Sequence, residues 1–136
     1  MIILDTNVVS EIMRGQDMDS SVLEWVRGLD ETPCTTVVTK AEILAGLAVL
    51  PDGKRRRGLE KMAALVFDQL SMCLSADAVT AEHYAAVFAA SRSAGRPLGA
   101  MDGLIAAIVR QHHAVLATRN TKDYEATGIN VVNPWH

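Results

Sequence analysis

The chain has 136 residues, of which 49% are hydrophobic and 21% are charged, and its formal net charge is −3. This composition excludes a disordered protein, and the apolar segments are too short or too often interrupted by charge to cross a bilayer. The length is typical of one domain with its own core, so we expect a single domain over residues 1–136, and without a signal-peptide pattern we expect a cytoplasmic protein.

The chain begins with an apolar run that changes abruptly to polar side chains. Residues 1–4 show no polar alternation, which predicts a strand buried on both faces in a parallel sheet. Apolar residues then recur at helical spacing over 8–13, so Asp5, Thr6 and Asn7 lie in the turn between strand and helix. Ligands bind at the carboxyl ends of strands in such sheets, although Asp5 or Thr6 is equally consistent with a simple helix cap.

A short helix and a second strand follow. Apolar residues at helical spacing over 22–29 predict a helix that is capped by Asp19, Ser20 or Ser21. The segment 33–38 is rich in β-branched residues and follows turn-forming residues, which predicts a strand.

A capping pattern marks the start of the next helix. Thr39 and Glu42 match the S/T-x-x-E box, in which each side chain satisfies a free backbone N–H group at the helix start. From these residues alone, Glu42 is better explained as a cap than as a functional acid. The helix is predicted to reach Leu50, and after the break at 51–53 a longer helix covers 54–71.

The remaining residues continue to alternate between strands and helices. We predict strands at 72–74, 114–118 and 129–132, and helices at 76–94 and over about 101–109. Together these elements predict an α/β protein with three α/β/α layers, in which helices cover both faces of a central parallel sheet of four or five short strands.

Four acidic residues fall at similar positions in this pattern. Each lies just after a strand or in the first turn of a helix, and all of them can face one edge of the sheet: Asp5, Glu42, Asp102 and Asp123. Two carboxylates at ~4 Å repel by roughly 4 kcal/mol at an effective dielectric near 20, so such a cluster requires protons or a cation. An all-oxygen site suits Mg²⁺ or Mn²⁺ rather than zinc, because no Cys or His stands at matching positions. Asp102 alone is also explained as a complement to the helix dipole.

Four segments of the chain occur in an order and at a spacing that is typical of a known family. They are IILDTN at 2–7, TKAEILAG at 39–46, GRPL to MDGLIAA at 95–107, and LATRNTKD at 116–123. In this combination the chain resembles the PIN-domain ribonucleases, specifically the VapC- or FitB-type toxins of type II toxin–antitoxin systems. Each motif is weak alone, but the resemblance covers nearly the whole chain.

The resemblance implies a metal-dependent endoribonuclease that hydrolyses phosphodiester bonds of RNA. The residues that would bind one or two Mg²⁺ or Mn²⁺ ions are Asp5, Glu42, Asp102 and Asp123. The residues that would place ligands, water or substrate are Thr6 or Asn7 and Thr118 or Asn120. Arg96 and Arg119 flank this site and are candidates for steering a phosphate backbone, whereas the basic run at 54–57 is more typical of a solvated helix face.

The resemblance also implies partners. We expect a homodimer and a small cognate antitoxin, whose own DNA-binding domain would carry the complex to the operator. DNA would therefore be contacted only indirectly, and no membrane is involved. The net charge of −3 argues against a broad nucleic-acid-coating surface. A pocket that gathered four acids around metal would nevertheless leave the rest of the chain slightly positive.

Two other classes remain open from the residues. A phosphotransfer enzyme of the haloacid-dehalogenase kind also begins with an Asp after its first strand, but it requires a second Asp where this chain has Asn7. A non-catalytic module is the second class, either a receiver-like signalling domain or a degenerate PIN fold that only binds a partner. In a receiver, the phosphorylated residue would correspond to Asp77, after the third strand.

Overall fold

A computed structural model describes all residues, 1–136. The strands are β1 (Ile2–Leu4), β2 (Thr35–Thr36), β3 (Cys73–Leu74), β4 (Val115–Ala117) and β5 (Asn130–Val132). The α-helices are α1 (Thr6–Ile12), α2 (Ser20–Arg27), α3 (Val37–Ala48), α4 (Lys54–Gln69), α5 (Ala78–Ser93), α6 (Ala100–Gln111) and α7 (Thr121–Tyr124). None of the helices combines the length and the hydrophobicity that a membrane span requires.

All strands pair in parallel, as predicted, but they do not form one continuous ladder. β1, β4 and β5 form a three-stranded sheet in the order β1-β4-β5, and β2 pairs only with β3. The two groups meet at a single parallel bridge between Ile3 and Cys34, where the N–H of Leu4 donates to the Cys34 carbonyl at 2.8 Å. The predicted count of four or five strands in one sheet is corrected to three, because the chain turns into α3 directly after the two residues of β2.

Helices cover both faces of the strands, which confirms the predicted three-layer α/β/α arrangement. Successive strand residues point to opposite faces. Accordingly, Ile3 and Leu116 pack in a core with α5 and α6, whereas Leu4 and Ala117 pack in a second core with α1, α3 and α4. Because these strands are buried on both sides, the residues at their carboxyl ends are held rigidly.

The start of α3 differs from the prediction. The helix begins at Val37, and its cap is Thr36, whose Oγ1 accepts a hydrogen bond from the N–H of Thr39 at 3.1 Å. The strand predicted up to Val38 and the capping box of Thr39 and Glu42 are therefore both wrong. Val37 and Val38 favour a strand by propensity, but capping by Thr36 and the burial of Val38 in the core from within the helix override that local preference.

Two further elements differ from the prediction. Asp77 is the cap of α5: its Oδ1 accepts from the N–H of Thr80 at 3.1 Å, while the Thr80 hydroxyl accepts from the N–H of Asp77. The helix thus begins at Ala78 rather than Ala76. The short helix α7, which the sequence did not predict, carries Asp123 and Tyr124.

Candidate functional site

Asp5 lies at the carboxyl end of β1, where it caps α1. Its Oδ1 accepts a hydrogen bond from the N–H of Thr6 at 2.8 Å, and its own N–H donates to the carbonyl of Ala117 at 2.9 Å. The residue is only 4% exposed. Asp5 therefore does cap α1, which was the alternative explanation for this residue. The cap uses only one of the two carboxylate oxygens.

The second oxygen of Asp5 faces residues from the other end of the chain. Oδ2 accepts a hydrogen bond from the hydroxyl of Thr118 at 2.7 Å and a longer one from the hydroxyl of Tyr124 at 3.4 Å. The Nδ2 of Asn7 also lies 3.4 Å from Oδ2. Since hydrogen bonds to a carboxylate are stronger than neutral ones, these donors hold Asp5 in one orientation.

Asn7 ties the turn after β1 to the turn after β4. Its Nδ2 donates to Thr118 Oγ1 at 3.2 Å, and its Oδ1 accepts from the N–H of Arg119 at 3.1 Å. The N–H of Asn120 also donates to Thr118 Oγ1, at 3.1 Å. Asn7 and Thr118 thus lie where the prediction placed them, whereas Asn120 contributes its backbone to this network.

Glu42 lies on α3 and faces Thr6. The Thr6 hydroxyl donates to Glu42 Oε1 at 2.8 Å and lies 3.1 Å from the hydroxyl of Thr39. Because Thr6 has a single hydroxyl proton, Thr39 must be the donor in the second contact. Thr6 therefore stands between two acids, with its backbone N–H on Asp5 and its hydroxyl on Glu42.

The pKa of Asp5 is shifted by its burial, by its hydrogen bonds and by the charges of nearby acids. Burial raises the pKa of Asp5, and the hydrogen bonds from Thr118 and Thr6 oppose this shift. The negative charges of Asp102 and Glu42 then raise the pKa further. Asp102 and Glu42 thus both lie near enough to Asp5 to repel its carboxylate.

Asp123 lines a surface cavity of about 470 Å³ together with Asp102. The cavity is lined by the loop before α6, the first turn of α6 and part of α7, namely Arg96, Pro97, Leu98, Gly99, Asp102, Lys122 and Asp123. Asp123 is exposed, and its side chain makes no hydrogen bond with Asp5. Asp102 therefore belongs to both places: its negative charge acts on Asp5, and its side chain lines this cavity.

The two predicted arginines have different environments. Arg96 is paired with Glu125, at 2.9 Å between Nη1 and Oε2. Arg119 makes no ion pair and instead stacks on Trp135, with its guanidinium carbon 4.9 Å from the ring centroid. Both are exposed on the same side as the acidic residues, but only Arg119 is joined to the network around Asp5, through Asn7.

Tyr124 is the site residue that sequence reasoning missed. It is 1% exposed, and its hydroxyl is directed at Asp5. The prediction selected its neighbour Asp123, because a carboxylate is a recognisable ligand and a tyrosine after it carries no local signal. On α7 adjacent residues point in different directions, so Tyr124 faces inward and Asp123 outward.

The donor set suits a hard divalent cation. Carboxylates and hydroxyls are the ligands that Mg²⁺ and Mn²⁺ prefer, and a buried Asp beside two further acids favours a positive charge nearby. The side chains are not preassembled as a cage, however, since no three acidic, His or Cys side chains in the structure converge closely enough to hold one ion. Glu42 in particular is directed at Thr6, so joint coordination would require side-chain rotation.

Comparison with known proteins places the chain among characterised families. A family model described as the PIN domain matches residues 2–129. The chain is 41% identical over 140 residues to the plasmid stability protein StbB of Pseudomonas syringae pv. tomato, which covers 99% of both chains. It is 37% identical over 138 residues to the VapC ribonuclease Y4jK of Sinorhizobium fredii, covering 99% of this chain and 98% of that protein.

Two further matches agree. The chain is 35% identical over 139 residues to the toxin FitB of Neisseria gonorrhoeae, covering 100% of this chain and 99% of the relative. A solved structure of FitAB bound to an IR36 DNA fragment superposes with a TM-score of 0.91 at 36% identity, covering 100% of this chain and 96% of that chain.

Proposed function

Because the chain belongs to the PIN domain family, in the group of VapC and FitB proteins, we propose that it is a Mg²⁺- or Mn²⁺-dependent endoribonuclease and the toxin of a toxin–antitoxin pair. The observation that carries this proposal is the buried carboxylate of Asp5, placed at the carboxyl end of β1 beside Asp102 and Glu42. Such a buried acidic group is costly unless a cation or a proton offsets it.

Asp5 and Asp102 would be the principal ligands of the cation. Glu42 would join them after leaving Thr6, and Asp123 would contribute from the side of the cavity. A divalent cation bound here supplies the charge that orients water for in-line attack on a phosphodiester and offsets charge on the leaving oxygen.

The surrounding residues act by holding Asp5 in place. The hydroxyl of Thr118 donates to Oδ2 of Asp5 and the N–H of Thr6 donates to Oδ1, so both carboxylate oxygens are held in place. Asn7 keeps Thr118 and the backbone of Arg119 at fixed positions relative to β1. No side chain of the chain forms a covalent intermediate in this proposal.

RNA would approach along the exposed side of this network. Arg119 is free of carboxylate partners, and Arg96 and Lys122 line the cavity beside Asp102, so these cations would steer the phosphate backbone. The basic run at the start of α4 is less suited, because none of its residues lines the cavity beside Asp102.

We extend the proposal to partners. The structure of FitAB bound to DNA, at 36% identity, supports a cognate antitoxin for this chain and contact with DNA through that antitoxin. A homodimer is proposed with it. The similarity to the toxin FitB supports the role of toxin, and the similarity to the VapC ribonuclease Y4jK supports RNA cleavage.

A partner-binding module without catalysis is the alternative. The receiver version of this alternative is disfavoured because the carboxylate of Asp77 is used as the cap of α5, where it accepts from Thr80 and Gln111. A degenerate PIN fold would keep the acids near one another without cleaving RNA.

The test is isosteric replacement of the acids. Asp5→Asn and Asp102→Asn should each abolish RNA cleavage that depends on added Mn²⁺ or Mg²⁺, with the melting temperature of each variant showing that it is folded. Asp30→Asn is a matched control, because Asp30 is exposed and lies before β2, at the opposite end of the strands. Cleavage retained in both site variants would refute the nuclease proposal.

A further inference from the structure

Tyr124 combines a rigidly packed ring with a polar tip at the candidate site. Its ring belongs to the core that also contains Ile105 and Leu116, and it is the largest of the fully buried side chains. Its backbone is fixed as well, since its carbonyl accepts from the hydroxyl of Thr127 at 2.6 Å. The position of the Tyr124 hydroxyl is therefore set by the core rather than by the loop in which α7 lies.

The hydroxyl faces the carboxylate of Asp5. It donates to Oδ2 of Asp5 at 3.4 Å, and the negative charge of Asp102 also acts on the phenol. Burial, followed by the negative charges of Asp5 and Asp102, raises the pKa of Tyr124 above its usual range, so the phenol keeps its proton. One O–H group thus binds the acid that follows β1 and is affected by the charge of an acid on α6.

Core packing alone does not explain a tyrosine here. Phenylalanine would fill the same space without burying a hydroxyl, which is unfavourable unless a hydrogen bond compensates for the lost water. The compensating partner is Asp5, so the polar tip is coupled to the candidate site.

We propose that Tyr124 is a positioning residue, whose hydroxyl sets the placement of Asp5 relative to Asp102 against their mutual repulsion. The inference rests on the proposed function, since these two acids are the principal ligands named there. Tyr124 does not itself ligate the cation or touch RNA. It acts through the acids, in the way that outer hydrogen-bond partners orient metal ligands in general.

The first test compares the two tyrosines of the chain. Tyr124→Phe removes only the hydroxyl, and Tyr84→Phe makes the same change on α5, where the ring stacks on Phe88. We expect Tyr124→Phe to weaken Mn²⁺ binding about tenfold, as measured by the EPR signal of free Mn²⁺, and to lower kcat for RNA cleavage more than it changes KM. Tyr84→Phe should match the parent in both measurements.

The outcomes separate this inference from the proposed function. Parental Mn²⁺ affinity in Tyr124→Phe, together with lost affinity in Asp5→Asn, overturns the role of Tyr124 and leaves the nuclease proposal standing. Unchanged affinity in Asp5→Asn overturns both. A lower melting temperature without a change in Mn²⁺ affinity shows a purely structural tyrosine and also overturns the inference.

A second measurement is made on the parent protein, so it does not depend on the folding of Tyr124→Phe. Parent protein labelled with 3-fluorotyrosine has two ¹⁹F resonances, and Tyr84→Phe identifies which belongs to Tyr124. Titration with Mg²⁺ should shift the Tyr124 resonance as the two acids move onto the ion, and should leave the other in place. A Tyr124 resonance that does not respond while Mg²⁺ binds would overturn the inference.

Discussion

The hydroxyl of Thr118 donates a 2.7 Å hydrogen bond to Oδ2 of Asp5, which joins two buried residues that are 113 positions apart in the chain. Thr118 directly follows β4, and Asp5 directly follows β1, which is the neighbouring strand. The parallel pairing of these strands thus brings the two side chains to the same edge. The orientation of the candidate principal ligand depends on this pairing and not on β1 alone.

Replacement of Thr118 by valine tests this contact. Valine has nearly the same shape but leaves a buried carboxylate oxygen without its shortest donor, so the free energy of unfolding should fall by about 1–3 kcal/mol. Cation-dependent RNA cleavage should fall as well, because Asp5 loses its orientation. Urea denaturation and a cleavage assay measure the two effects. Thr118→Ser retains the hydroxyl and should preserve cleavage; a valine variant with parental stability and activity would contradict the argument.

The different positions of Asp102 and Asp123 predict different effects on activity. Asp102 acts on Asp5, whereas Asp123 is exposed and only lines the adjacent cavity. Asp102→Asn should therefore abolish cleavage, and Asp123→Asn should reduce it to a smaller extent, as measured by kcat/KM on the same RNA. Equal loss in the two variants would show that Asp123 is as close to the reacting group as Asp102.

Arg119 should affect RNA binding more than the chemical step. Its side chain stacks on Trp135 and makes no ion pair, so it is available to a phosphate. Arg119→Ala should raise KM with little change in kcat, and it should reduce the dependence of KM on salt concentration, because one phosphate contact is lost. Arg27→Ala is a control on another exposed arginine, which lies at the end of α2. A parental salt dependence in Arg119→Ala would exclude the contact.

The packing of α5 on α6 depends on Gly103. A Cβ atom at this buried position would lie 2.8 Å from Cε2 of Tyr84, so Gly103→Ala should lower the free energy of unfolding by about 1–3 kcal/mol. Gly58 lies on the exposed surface of α4 with no atom within 4 Å of the same Cβ position. Gly58→Ala should therefore stabilise the protein by roughly 0.5–1 kcal/mol through helix propensity. Thermal denaturation compares the pair, and a stabilising Gly103→Ala would contradict the predicted clash.

Asp77 should make stability depend on acid pH. The backbone hydrogen bond from Thr80 lowers the pKa of Asp77 below the ordinary 3.8. A depressed pKa in the folded state contributes stability above the unfolded value of 3.8, and that contribution is lost as pH falls through the folded value. Asp77→Ala should therefore lower the melting temperature at neutral pH, and its difference from the parent should shrink in strong acid. A difference that stays constant with pH would show that charge plays no part in this cap.

Much of the fold followed from local patterns. The apolar run before Asp5 predicted a strand buried on both faces, and helical spacing elsewhere predicted all the longer helices, because burial periodicity is recorded in neighbouring residues. The membership in the PIN domain family, predicted from four motifs, is confirmed by the family match over residues 2–129 and by the relatives. The assignment of ligands to particular acids stays a prediction that the proposed variants test.

The local patterns failed where a distant contact competed with them. Val37 and Val38 have strand propensity, yet capping by Thr36 places both of them in α3, where Val38 packs in the core. Glu42 matched a capping box with Thr39, but its carboxylate accepts from Thr6 instead. In each case the local sequence is compatible with two structures, and a contact with another segment of the chain selects one of them.

By itself, the sequence determined the alternation of strands and helices, the family, and the positions at which acids follow strands, since each depends on residues that are near one another in the chain. Only the tertiary structure decided which oxygen of Asp5 meets Thr118, that Glu42 turns toward Thr6, and that Tyr124 rather than Asp123 lies against Asp5. These are hydrogen bonds between side chains 36 to 119 positions apart. Their geometry is fixed by strand pairing and core packing, which no local pattern specifies.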